Sequence, residues 1–177
     1  MFASITKNHL PHILVATLVI DLVVLFLIRY NSTFFGKPIN DWYNQFGLNA
    51  VLSDVLVIAL GFLMAQYAYQ AFLEPRIGWN LPAFLLLLVA IQAVHDMLFY
   101  IGIIRPISEG HNGMIDVFKA YAESGKGRII LADAAMMVGA GVLASFLASA
   151  PTHVTAFVGI LAAYAVPYIL TTRNQFS

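Results

Sequence analysis

The sequence contains no cysteine. That excludes a disulfide framework, a thiolate nucleophile and any Cys-ligated zinc or iron–sulfur centre, and it leaves the redox compartment unread. Charge is nearly as scarce. Only 10% of the 177 residues are Asp, Glu, Lys or Arg, against about 25% in a soluble domain. Nine basic residues balance nine acidic ones, so no basic surface exists and nucleic acid is excluded as a partner. Internal repeats, low-complexity tracts and composition shifts are also missing, which makes residues 1–177 a single domain. What remains is apolar: 60% of the chain is hydrophobic, too much for a water-soluble globule or a disordered segment.

Crossing about 30 Å of hydrocarbon takes about 20 mainly apolar residues. Five stretches qualify: Pro11 to Ile28, Leu48 to Phe72, Pro82 to Ile104, Ile129 to Ala148 and His153 to Thr171. The flank before the first (Lys7, His9, Pro11) resembles that of a signal peptide. Asp21 inside the run, and the lack of an Ala-x-Ala-like site after it, mark a retained helix instead. Backbone amides cannot stay unpaired in lipid and the runs lack period-2 alternation, so they are helices rather than barrel strands. The expected fold is all-α: a polytopic transmembrane bundle of about five spanning helices plus an amphipathic surface helix.

Of the nine Lys and Arg residues, two (Lys7 and Arg76) lie on one side of these spans. The other seven (Arg29, Lys37, Arg105, Lys119, Lys126, Arg128 and Arg173) lie on the opposite side. The positive-inside rule then puts the amino terminus outside and the carboxyl terminus in the cytoplasm. The sequon Asn31-Ser32-Thr33 faces the wrong side for glycosylation on this topology. Two cytoplasmic loops carry structure of their own. Asn40 to Gly47 has the N-cap and closing glycine of a two-turn helix, and its Trp42, Tyr43 and Phe46, with Phe34 and Phe35, suit an aromatic belt at the headgroups. From Asn112 to Ser124, Met114, Val117, Phe118 and Tyr121 recur at helical spacing, as in an amphipathic helix on the membrane surface capped by Gly125.

The informative residues are the polar ones inside the spans. Four of the nine acids, Asp21, Asp54, Asp96 and Asp133, lie one in each of the first four runs. At 1.5 Å per residue they sit roughly 6–12 Å from the cytoplasmic ends of their helices, in one leaflet, although the helices alternate in direction. His95 adjoins Asp96, and Gln92 shares its helical face. Tyr164 and Tyr168, beside Pro167, fall at similar depth. No Lys or Arg lies within the expected spans. Each carboxylate must then be protonated, hydrated or bound to a cation, because an isolated charge in hydrocarbon costs many kcal/mol.

Three functions follow. Protonated acids can hydrogen-bond neighbouring helices and hold a scaffold or assembly factor together; this is the leading expectation, and it requires no enzymatic activity. A second is a proton or cation pathway through the clustered acids. A third is an intramembrane metalloenzyme acting on lipid, with a divalent ion on the carboxylates and with His95 or His111 as further ligands. The turn Glu109-Gly110-His111-Asn112 would then be a lid carrying a ligand, or else a plain capping turn. The sequence requires no cofactor. No His-Glu-x-x-His and no Gly-x-Ser-x-Gly occurs, so no catalytic residue can be assigned. Small residues at Ala140, Gly141, Ala144, Ser145 and Ala148 predict close helix approach, within the chain first and in a dimer as the alternative.

Three segments, Phe34-Phe35-Gly36-Lys37-Pro38-Ile39-Asn40-Asp41-Trp42-Tyr43, Val94-His95-Asp96-Met97-Leu98-Phe99-Tyr100 and Gly110-His111-Asn112-Gly113-Met114-Ile115-Asp116-Val117-Phe118, together resemble small polytopic membrane proteins of large double-stranded DNA viruses. The resemblance implies a protein of the internal virion membrane or of infected-cell membranes. Its partners would be the lipid bilayer and other membrane or capsid proteins. It carries over no catalytic residues.

Overall fold

The computed structural model describes residues 3–6, 9–31, 33, 37–125 and 127–173. Among these the chain is all-helical, with no strand. Five helices are long and apolar enough to cross a membrane, as a multi-pass membrane protein requires. Their apolar residues run around the whole circumference. On the third helix, Leu52, Leu56, Leu60, Leu63 and Tyr67 form an exposed stripe, a face that water would not tolerate and lipid does.

Helix α1 (Leu10–Tyr30) starts with proline in its first turn, where the missing N–H breaks no hydrogen bond. It is the central post: α6 (Gly127–Ser149) and α7 (Thr152–Leu170) pack along it, and α3 (Leu48–Ala68) lies against it as well. Helix α2 (Lys37–Phe46) is short and lies across the bundle end. Helix α3 (Leu48–Ala68) continues through a π-helical turn (Tyr69–Leu73) and a last α-turn (Glu74–Ile77). Its expected end at Phe72 thus falls within the π-turn. The reversal after it is fixed by Tyr69, whose buried hydroxyl donates to the Gly78 carbonyl (2.8 Å) and accepts from the Asn80 amide (2.9 Å).

Helix α4 (Leu81–Phe99) is capped by Asn80, whose Oδ1 accepts from the Ala83 amide at 3.0 Å. It runs on through a second π-turn (Tyr100–Ile104). Helix α5 (Gly113–Gly125) is the amphipathic one, with the Asn112 Oδ1 accepting from the amides of Met114 and Ile115. Helices α6 (Gly127–Ser149) and α7 (Thr152–Leu170) complete the bundle. Close approach is made inside the chain, as the small residues of α6 predict. A Cβ on Gly141 would stand 2.3 Å from Leu85 of α4.

Two features differ from the sequence-based expectation. Helix α1 extends two residues beyond Ile28, so a cation does lie within a spanning helix. Arg29 is buried there, donating to the Asn44 side chain of α2 and to the Leu170 carbonyl at the end of α7 (2.9 Å). It satisfies orphan carbonyl and amide acceptors at a helix end rather than neutralising an acid. Helix α2 begins at Lys37, so Asn40 lies inside it and is fully buried. Trp42 and Tyr43 are only 3% and 2% exposed and form no headgroup belt. Phe34 and Phe35, the other belt positions, lie outside the described residues.

Helices α2 and α5 together make a floor under one end of the bundle, joined by the Trp42 and Phe118 rings at 4.6 Å. Met114, Val117 and Phe118 pack against the buried cluster that includes Leu25, Trp42, Val51 and Val55. The opposite half is a separate apolar cluster including Ile13, Phe62, Phe84, Leu88 and Met137.

Candidate functional site

The acids converge just above the floor. Asp21 of α1 is fully buried, and the Tyr43 hydroxyl of α2 lies 2.9 Å from its Oδ1 and 2.9 Å from Oδ2 of Asp54 on α3. The Trp42 indole N–H donates to the same Asp54 oxygen at 3.0 Å. A phenol has one proton to donate. It therefore donates to one carboxyl and accepts from the other, which must itself be protonated. The two carboxyls are also within hydrogen-bonding reach of each other, and like charges so close do not both ionise. The count of donors thus puts at least one acid proton in the Asp21–Tyr43–Asp54 group.

Asp96 of α4 forms the second part. Its Oδ1 accepts from Gln92 Nε2 at 2.7 Å and lies 3.1 Å from His95 Nδ1. The His95 ring stacks on Phe99. Asp133 of α6 joins the two parts, standing close enough to Asp96 and Asp54 for their charges to act on it. Asp96 is partly open, its side chain 41% exposed against 21% for His95. There an apolar groove of about 520 Å³ opens between α3 and α4, lined by Met64, Ile91, Val94, His95 and Phe99 among others.

The floor supplies a third contribution, Tyr121 of α5. Burial first, then the charges of Asp133 and Asp54, push its phenol up to about 12. Burial likewise raises the Tyr43 phenol well above its ordinary value, with Asp54 and Asp21 adding to the shift. Both rings therefore stay protonated and available as donors at neutral pH. Trp42, Tyr43 and Tyr121 are the participants that sequence reasoning missed. A usable signal was present: four acids without an internal cation need donors, and the nearest are on the two amphipathic segments facing the same leaflet.

Asp21 and Asp54 meet through Tyr43, and Asp96 meets Gln92 and His95, with Asp133 near Asp96 and Asp54. Tyr164 and Tyr168 do not join them. Their hydroxyls bond each other at 2.9 Å, and the two residues are 65% and 61% exposed. His111 is also apart, on an exposed turn. That turn is a cap: Gly110, at φ +83, donates its amide to Asp116 (3.0 Å) while Asn112 caps α5. No group of three or more His, Asp and Glu side chains among the described residues is arranged to hold a metal ion.

None of the four acids pairs with a Lys or Arg among the described residues. The arrangement is two hydrogen-bonded groups, Asp21, Tyr43, Asp54 and Trp42 on α1 to α3 and Gln92, His95 and Asp96 on α4, with Asp133 of α6 and Tyr121 of α5 within reach of the acids' charges. It can hold protons and exchange them between neighbours. It is bordered on the far side by the Phe62–Phe84–Leu88–Met137 core. No known protein family matches the chain, and neither a curated protein nor a solved structure is detectably similar to it.

Proposed function

We propose that the protein is a structural or assembly component of its membrane, a multi-pass scaffold in which the acid layer fastens the floor helices to the bundle. The observation that carries this is the identity of the acids' partners. Trp42 and Tyr43 belong to α2, and Trp42 in turn packs against the tilted ring of Phe118 of α5. The polar contacts thus hold interfacial helices in place, which is what buried hydrogen bonds do in membrane bundles. The charge count supports a cytoplasmic position for the floor. The viral resemblance of three segments supports a virion or infected-cell membrane as the one concerned, with other membrane or capsid proteins bound at the floor.

A second reading is favoured by one observation, the Tyr43 hydroxyl set 2.9 Å from a carboxyl oxygen of both Asp21 and Asp54. Such a group would serve a proton pathway if the apolar core above it opened. Reconstitution into vesicles with an internal pH dye separates the two. The scaffold predicts no proton flux above protein-free vesicles, and an Asp96→Asn chain that assembles and unfolds like the wild type. Flux that disappears in Asp54→Asn would replace the scaffold with the pathway.

A further inference from the structure

At the end opposite the acids, residues 3–6 turn back into the bundle. They have no helical or strand structure, yet Ile5 is fully buried in the same cluster as Ile13, Phe62 and Met137. Their attachment is almost entirely through the main chain. Gln66 Nε2 donates to the Ile5 carbonyl, and Gln70 Nε2, one turn further along α3, donates to the Thr6 carbonyl. On the other side, Ser145 of α6 donates its hydroxyl to the Ala3 carbonyl (2.5 Å) and accepts the Ala3 amide on its own carbonyl (3.3 Å). Gln66 and Ser145 are themselves buried, at 8% and 0% exposure.

Main-chain groups are alike in every peptide, so these bonds hold an extended strand and do not read its sequence. Selectivity rests on one pocket, the Ile5 site. The helices around the slot are joined by other contacts: α1 with α6 and α7, α3 with α4, and α4 with α6. The segment is therefore a ligand held by a bundle that is packed without it.

We propose that the slot between α3 and α6 is a binding site for an extended peptide carrying a β-branched aliphatic residue, and that residues 3–6 are its ligand in cis. Tethering gives such a ligand an effective concentration of order millimolar. A free peptide therefore enters only when the tethered segment is out. Ile5→Asp supplies that state, since a carboxylate in the apolar pocket ejects the segment.

The probe is a synthetic peptide with the sequence of residues 1–8, fluorescently labelled at its carboxyl end, added to the full-length chain in detergent. The Ile5→Asp chain binds it saturably, at least roughly tenfold more tightly than the wild-type chain, whose slot is filled. Adding Gln66→Leu abolishes that binding. A monodisperse, helical Ile5→Asp chain that binds no peptide, or binds it regardless of Gln66→Leu, would overturn the proposal. Should Ile5→Asp not fold, Ser4→Cys serves in the otherwise wild-type protein, where it is the sole thiol. A seated segment slows its reaction with a polar maleimide at least roughly tenfold relative to a cysteine at exposed Glu109, as closing a local opening equilibrium does. Equal rates would equally sink the proposal.

Discussion

Tyr43 stands between two carboxyls contributed by different helices, so deleting one oxygen tests the whole arrangement. In Tyr43→Phe the ring still fills its buried site, but Asp21 and Asp54 both lose the phenol, while the Trp42 indole stays on Asp54. Hydrogen bonds inside membrane proteins average about 0.6 kcal/mol and reach about 1.7, and leaving a buried polar group unpaired costs about 1–3 kcal/mol. The expected destabilisation is about 1–3 kcal/mol, read from unfolding in mixed detergent micelles. Asp54→Asn alone and the double variant complete a thermodynamic cycle. Coupling above about 0.5 kcal/mol is expected for residues in direct contact; strict additivity would show that the phenol and the carboxyl do not act as a unit. The four acids could be placed together from the sequence because depth along a helix is simple arithmetic. Their donors could not, since nothing in a local pattern says whether a tyrosine hydroxyl near a membrane surface turns toward water or into the bundle.

Helices meet here through small residues, and the tightest polar junction is at Gly61. A Cβ there would stand 2.6 Å from Gln92 Oε1 and 2.9 Å from Met137 Cε. Neither neighbour can simply move aside: Met137 is fully enclosed, and Gln92 is nearly so and holds Asp96. Gly61→Ala is therefore expected to force α3 away from α4 and α6 and to cost about 1–3 kcal/mol, the usual range for overpacking. Gly102→Ala is the control. It meets no heavy atom within 4 Å and should leave the unfolding midpoint within about 0.5 kcal/mol of wild type. Equal effects would mean that helix propensity, not the junction, governs both. The spanning helices were readable from run length and composition, since lipid leaves the backbone no alternative. Helix α2 was misread for a physical reason. Amphipathicity identifies an apolar face but not what covers it, and here the cover is the bundle and α5 rather than headgroups.

Across the whole molecule, the two halves differ in kind. One half holds the acids, the floor helices and the Arg29 clamp on α7, while the other is the apolar core in which Ile5 of residues 3–6 is buried. This asymmetry matches the charge distribution, with seven of nine Lys and Arg on the floor side. The two together predict orientation, because cationic loops are retained on the cytoplasmic side during insertion. The absence of cysteine makes the test direct. Glu109→Cys places a single thiol in the exposed loop before α5, and Thr152→Cys places one at the exposed start of α7, at the opposite end. A membrane-impermeant maleimide applied to intact cells should label Thr152→Cys at once and Glu109→Cys only after permeabilisation. The reverse pattern would put the floor outside and bring the Asn31-Ser32-Thr33 sequon to the side where glycosylation occurs. The acid layer would then face the extracellular leaflet, and a partner bound at the floor would have to be sought there.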